Sequence, residues 1–295
     1  MARPVTDTRS IIDAHVHLWD LAARDQPWIP RGSRIRRDFT IADLRAAIDA
    51  TPVERVVIVQ VLNNADETAA LLNQSEDTAD LIAGVVGWVD LAEPSLSEAL
   101  ARMSRRGRLV GIRHQALAEA DPAGWLGSPA VQRGLAQLDR AALPFDLMIR
   151  PSHFAAALTV ARAHPSLQLV LDHVGKPAIA AGELLPWAAG LRELAREPNV
   201  SCKLSGVQTM AAADWTFADL APFLDVALNA FGAGRIVFGS DWPVSAQAAA
   251  YQDVLDVAMT ACATLSSAER EAVLADNARR IYRLEQGPDC GNVRR

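Results

Sequence analysis

Eight short apolar runs rich in β-branched residues recur along the 295-residue chain, each followed by an Ala- and Leu-rich stretch with helical periodicity. The runs fall at 11–18, 55–61, 82–91, 109–115, 144–150, 167–173, 200–206 and 235–242. The stretches between and after them fall at 40–50, 65–80, 94–105, 128–142, 153–164, 183–197, 214–230 and 246–263. Helix-start chemistry opens several of these: Thr40 stands where an N-cap belongs, and Ser128-Pro129 puts proline at a first helical position. Strand and helix alternating eight times predicts parallel strands with right-handed crossovers, and eight such units close into a (β/α)8 TIM barrel. The rival is an open doubly wound sheet. Its dinucleotide-binding form needs a glycine-rich turn after the first strand, and none follows residue 18. A ninth helical stretch, 266–284, has no strand after it and is expected to pack outside or beneath the barrel as an extra C-terminal helix. A composition half hydrophobic and 22% charged suits one barrel domain with a core over about 10–285 and short polar tails at both ends.

Barrel enzymes carry their chemistry at the carboxyl ends of the strands. This chain puts His15 and His17 at the end of the first strand, Arg113 and His114 on the fourth and Arg150 on the fifth. Asp172 and His173 end the sixth, Lys203 lies on the seventh and Asp241 ends the eighth. Four of the chain's six histidines therefore collect at strand tips, which argues for a working site and against scatter. Alternate side chains of a strand face opposite ways, so Asp13, His15 and His17 are expected on one face and Ile12, Ala14, Val16 and Leu18 on the other. The same parity sends Val200, Cys202 and Leu204 towards the helices and Ser201, Lys203 and Ser205 inward. Gly239 shares a face with Asp241 and is expected to leave room against that carboxylate. On the fourth strand either Arg113 or His114 is the inward residue. Imidazoles and carboxylates converging at one barrel end can hold a metal ion or move protons. Asp13 and Asp172 are expected to orient neighbouring histidines, whereas His153 and His164 read as structural. Trp28 and Trp242, with Trp19, fall in loops at the barrel mouth, where indoles either stack on a substrate ring or pack the loops.

Other functions find little support. A net charge of −6 gives no general attraction to nucleic acid or to an anionic membrane. No apolar run reaches the length of a membrane span, and no basic, apolar leader opens the sequence, so a cytoplasmic enzyme is expected. Cys202, Cys262 and Cys290 are too few and too scattered for a disulfide framework or a zinc knuckle. There is no Gly-x-Ser-x-Gly elbow, no phosphate-binding Gly-x-x-x-x-Gly-Lys and no Cys-x-x-Cys. Helix-facing parity argues against Cys202 as a nucleophile.

The segments Asp13-Ala-His-Val-His-Leu-Trp19, Pro27-Trp28, Gly111-Ile-Arg-His-Gln115, Asp172-His-Val-Gly-Lys-Pro177, Cys202-Lys-Leu-Ser-Gly206, Phe238-Gly-Ser-Asp-Trp-Pro243 and Asn277-Ala-Arg-Arg-Ile-Tyr282 stand in this order from the first strand to the last helix. Together they resemble the amidohydrolase superfamily, and more narrowly its L-fuconolactonase and L-rhamnonolactonase-like sugar lactonases. The resemblance implies hydrolysis of a small sugar-derived lactone to the free sugar acid. Asp241 would act as general base, with His15, His17 and His173 as its catalytic companions polarising the carbonyl. Arg113, His114, Lys203, Trp28 and Trp242 would contact substrate. It also implies either one divalent ion, zinc foremost, on His15, His17, His173 and Asp241, or no cofactor. The two-metal pattern of the superfamily is not met, since the fourth strand ends without lysine or glutamate and the fifth without histidine. Relatives of the same broad group open pyrone dicarboxylates or decarboxylate ring acids in a metal-dependent reaction. A pyrone site built on tyrosines fits poorly with a chain whose two tyrosines, Tyr251 and Tyr282, stand in helical stretches. A barrel that binds sugar without catalysis is the remaining alternative. Oligomeric state is not legible in the sequence.

Overall fold

Eight parallel strands form one sheet in sequential order: β1 (Ile11–Val16), β2 (Val53–Val59), β3 (Ile82–Gly87), β4 (Leu109–His114), β5 (Phe145–Leu147), β6 (Leu169–Leu171), β7 (Val200–Leu204) and β8 (Ile236–Phe238). The computed structural model describes residues 10–106 and 108–284, so the tails expected at both ends, and Cys290 with them, lie outside the described residues. Beyond the ends of β8 and β1 the sheet curls onto itself. The Asp241 amide donates to the His15 carbonyl at 2.8 Å, and the His17 amide donates to the Trp242 carbonyl at 2.7 Å. This is the expected (β/α)8 barrel, and its seam joins the chain ends that carry His15, His17 and Asp241.

The helices follow the predicted rhythm: α1 (Ile41–Ile48), α2 (Ala65–Asp77) and α3 (Leu96–Ser104), then α4 (Pro122–Gly127) and α5 (Pro129–Arg140). They continue with α6 (Phe154–Ala163), α7 (Leu184–Ala195), α8 (Phe217–Phe231) and α9 (Tyr251–Ala261). Thr40 caps α1 through a reciprocal pair with Asp43, and the Ser128 hydroxyl accepts from the Val131 amide with Pro129 in the first turn of α5. The short helix α4 was not expected. Strands six and eight are shorter than their apolar runs because the backbone turns left-handed at His173 (φ 52°) and Asp241 (φ 58°), leaving the ladder before the functional side chain.

Two apolar layers result. Along β2, Val56 and Ile58 join the layer between sheet and helices, while Val57 and Val59 join a smaller layer inside the barrel. On β1 the expected common face of Asp13, His15 and His17 does not form. Ile12 and Ala14 point into the barrel, Val16 and Leu18 point to the helices, and a register shift against β2 lies between Asp13 and Val16. Such an irregularity re-aims side chains next to a site. It leaves His15 and His17 inward but sends Asp13 outward, where Tyr251 of α9 donates to it at 2.7 Å and the Ser240 amide at 2.8 Å. On β7 the predicted parity holds, with Val200, Cys202 and Leu204 in the helix-side layer.

The C-terminal stretch packs beneath the barrel. It runs through α10 (Ser267–Glu271), a wide turn over Ala272–Asp276 and α11 (Asn277–Ile281). Ala275, Ala278, Ile281 and Tyr282 join the inner layer as its floor. Asn277 ties this floor to β8 by donating to the carbonyls of Ala233 at 2.7 Å and Ile236 at 2.8 Å. From the floor, the Tyr282 hydroxyl stands 3.0 Å from both carboxylate oxygens of Asp146 on β5. A hydrogen bond to a buried carboxylate is worth about 1.5–3 kcal/mol. Tyr282→Phe is therefore expected to lower unfolding free energy by roughly that amount in urea titration, and an unchanged midpoint would show that the floor is not tied to the barrel by this contact.

Candidate active site

At the upper end of the barrel, His15, His173 and Asp241 are buried and offer ligand-type atoms all within 4.8 Å of one another. His17 completes the group: its Nε2 lies 3.1 Å from His15 Nε2 and 3.4 Å from Asp241 Oδ1. Each ring is oriented from behind. His17 Nδ1 donates to the Val59 carbonyl at 2.7 Å, which leaves Nε2 as the acceptor nitrogen of the neutral ring. His173 Nδ1 meets the Ser205 hydroxyl at 2.9 Å, and its ring lies 4.6 Å from that of His15, centroid to centroid. Two glycines permit the crowding. A Cβ on Gly239 would stand 2.6 Å from His15 Cβ, and one on Gly206 would stand 2.8 Å from His173 Nδ1 and 2.9 Å from Asp241 Oδ2. The room expected beside Gly239 is thus occupied by His15.

Beneath the histidines runs a buried ionic chain. Lys203 Nζ is 2.5 Å from Asp146 Oδ2, 3.1 Å from Asp172 Oδ1 and 3.0 Å from His15 Nδ1. The ammonium is thus held among two carboxylates and a ring nitrogen beneath the histidines. Arg113 is the inward residue of β4. It donates to Asp172 Oδ2 at 3.0 Å and to the Gln60 carbonyl, and it lies 3.3 Å from His15 Nε2. Asp172 Oδ1 stands 3.4 Å from His15 Nδ1, beside the ring it was expected to orient. Asp13 acts differently, accepting from the His15 backbone amide at 3.1 Å and not from a ring.

His114 turns away from this cluster towards the helix side. It stacks on Trp125 with centroids 3.8 Å apart, accepts from Trp88 Nε1 at 3.0 Å and meets Glu119 at 2.8 Å. Its ring is committed to packing the β3 and β4 loops. Trp242 is buried edge-on against Phe39, whereas Trp28 is 41% exposed and keeps a free surface. Arg150 is exposed, and the ring of His153 holds the start of the next turn by accepting from the Arg150 amide. Cys202 is buried, and burial pushes its thiol further from ionisation.

Burial keeps the imidazoles neutral. It holds His15 well below the ordinary imidazole range, with Lys203 adding to the effect, lowers His17, and brings His173 down to about 4. Burial also opposes ionisation of Asp241, but His173 and the contacts with His17 and His15 outweigh it, and this carboxyl lies below the usual carboxylate range. The site presents a carboxylate among neutral rings, which is a set of ligands and proton acceptors. A divalent cation suits it. His17, bonded through Nδ1 to Val59, turns Nε2 to His15 and Asp241, and Asp172 Oδ1 is a buried atom without a hydrogen bond 3.4 Å from His15 Nδ1.

Lys176 follows a run in which His173, Val174, Gly175 and Lys176 all take positive φ, three of them not glycine. Each such non-glycine residue costs on the order of 1–3 kcal/mol and persists only where its surroundings fix it. Here Trp187 donates to the Val174 carbonyl at 2.7 Å, and Phe154 fills the space a Cβ on Gly175 would need. Lys176 itself is half-buried, and burial lowers its ammonium against the opposing pull of Asp241 and Asp172. Only the Gly-Lys-Pro sequence hints at such a turn.

The amidohydrolase family model matches residues 12–284. The chain is 39% identical over 293 residues to an L-fucono-1,5-lactonase of Burkholderia multivorans, covering 95% of this chain and 98% of that protein. It is 38% identical over 245 residues to an L-fucono-1,5-lactonase of Burkholderia ambifaria, covering 82% and 83%. A crystal structure of an amidohydrolase from Burkholderia multivorans with bound zinc superposes with a TM-score of 0.88 at 38% identity, over 93% of this chain and 99% of that one.

Removing one partner of a buried ion pair strands the other, at about 3–5 kcal/mol. Lys203→Met is therefore expected to destabilise the barrel by that amount. Adding Asp146→Asn is expected to restore most of the loss in chemical denaturation, and a double variant no more stable than the single would refute the pairing.

Proposed function

Since the chain belongs to the amidohydrolase family, we propose that it hydrolyses a small sugar-derived lactone, an aldonolactone of the L-fucono-1,5-lactone kind, to the free sugar acid. The single observation that carries this reading is the convergence of His15, His17, His173 and ionised Asp241 at one barrel end. The similarity to L-fucono-1,5-lactonases over most of the chain supports the substrate class.

The reaction is an acyl transfer to water. Asp241 accepts a proton from a water molecule as its oxygen bonds to the lactone carbonyl carbon, and the carbonyl electron pair moves onto oxygen. Collapse of the tetrahedral adduct breaks the bond to the ring oxygen, which takes the proton back from Asp241. The product is an open hydroxy acid that releases its carboxyl proton to solvent. A carboxylate suits this two-way role because water exclusion and neutral neighbours keep it from being permanently paired. His15, His17, His173 and Asp241 are the residues we assign to hold one divalent ion, zinc by preference, and such an ion would supply Lewis-acid polarisation of the carbonyl. Arg113 and Lys203 work from below, keeping Asp172 ionised and His15 in register. Trp28 alone among the mouth indoles has surface free to lie against a sugar ring. The tyrosine-based pyrone reading loses ground, because Tyr251 and Tyr282 are both buried and bonded to Asp13 and Asp146.

The test is proton release at neutral pH from a panel of L-fucono-, L-rhamnono-, L-arabino- and D-galactonolactones. Turnover of one or a few is expected, and no acceleration across the panel would overturn the reading. With the best lactone, Asp241→Asn is expected to lose about 10²–10⁴-fold in kcat. Chelator treatment is expected to lower activity and zinc to restore it, whereas full activity after chelation would remove the ion from the account.

A further inference from the structure

A second concave site lies between the turn that follows β1 and the face of α2. It is a cavity of about 330 Å³, and none of His15, His17, His173 and Asp241 lines it. Leu18, Trp19, Phe39 and Leu71 give it apolar walls, and Arg24, Gln26 and Glu67 add polar groups. A volume of this order, apolar walls and a few placed polar groups are the usual make-up of a small-molecule site. Two of the polar residues are buried yet keep an unused hydrogen-bonding atom. Glu67 is 4% exposed, and its Oε2 accepts from the amides of Val61 at 3.0 Å and Leu62 at 2.8 Å. Its Oε1 has no hydrogen-bond partner among the described residues. Gln26 is 1% exposed, and its Oε1 accepts from Trp28 Nε1 at 2.8 Å, while its Nε2 donates to no described residue. Side-chain atoms that are both sealed in protein and partnerless lie on other residues, such as Gln208 and Ser245, so neither of these two atoms is sealed. With so little of either residue exposed, the cavity that both line is where these atoms find room. Water can meet both, but it gains nothing from the indole and phenyl walls beside them.

We propose that this cavity is a second ligand site, which takes a small polyhydroxylated molecule of monosaccharide size. One hydroxyl of the ligand donates to Glu67 Oε1, and another accepts from Gln26 Nε2. The C–H faces of such a molecule lie against the rings of Trp19 and Phe39. Arg24, which has no hydrogen bond or ion pair among the described residues, supplies a cation for a carboxylate where the ligand is a sugar acid. Arg24 and Glu67 oppose each other in charge, so a lone cation or anion gains less here than a hydroxylated ligand. The site does not depend on the lactone reading. It adjoins the active site through the backbone: Leu18 follows His17, and Val61 stands two residues beyond the Val59 carbonyl that holds the His17 ring.

The test follows the indole N–H signal of Trp19 by NMR in the ¹⁵N-labelled full-length protein during titration with L-fucose, a neutral sugar, and with gluconate, a sugar acid. A saturable shift is expected with at least one of them. Saturation by fucose assigns the site to neutral sugars, and saturation by gluconate alone assigns it to sugar acids. Asp241→Asn is expected to keep the shift. Ala70, on the α2 side of the cavity, is exposed, so Ala70→Trp is expected to fill the cavity and abolish the shift at an unchanged melting temperature. Glu67→Gln keeps an oxygen for the two amides and is expected to weaken affinity about tenfold. No saturable shift with either probe, a shift that survives Ala70→Trp or is lost in Asp241→Asn, or an affinity unchanged in Glu67→Gln would overturn the proposal. Binding is read here without turnover, so failure of the lactone reading leaves each of these outcomes as it stands.

Discussion

A single ammonium group in the barrel interior organises most of what lies above and below it. Lys203 Nζ is shared by Asp146, Asp172 and His15, and each of those partners is itself fixed from another element. Tyr282 reaches Asp146 from the C-terminal floor, Arg113 reaches Asp172 from β4, and His17 and Asp241 crowd His15 from the seam. Charges in so dry a place are tolerable only as a set of opposite signs held close together. The set ties the floor helix, three strand ends and the His15 ring to one another.

The chemistry above that set depends on backbone conformations the chain would not choose by itself. His173 and Asp241 both lie just past a strand end in left-handed geometry, and their side chains meet over the barrel end. Gly206 and Gly239 supply the space for this meeting. The barrel is a rigid frame, and the strain is confined to short turns that it holds. That division places a carboxylate and several neutral imidazoles around one small volume.

The sequence disclosed the frame because its signals are periodic. Repeated apolar runs and capped helices mark a (β/α)8 barrel, and the alternation at Val200, Cys202 and Leu204 correctly aimed Lys203 inward. Histidines at strand tips marked the site for the same reason. What stayed hidden was aperiodic. The slip between Asp13 and Val16 leaves no compositional trace, yet it separates Asp13 from His15 and His17. His114 looked like a site residue because it neighbours Arg113, and only the partners Trp88 and Trp125, brought in from other loops, reveal its packing role. Tyr282 and Asp146 lie 136 positions apart, a contact that no local pattern encodes. The run from His173 to Lys176 stayed hidden since four successive left-handed residues are not something composition announces.

The most direct test of the central claim is hydrolysis of L-fucono-1,5-lactone in ¹⁸O-labelled water, followed by mass spectrometry of the acid formed faster than in an enzyme-free control. Attack of Asp241-activated water on the carbonyl predicts one heavy oxygen in the carboxylate and none in the hydroxyl released from the ring. Product with the label in that hydroxyl, or no product beyond the control, would contradict it.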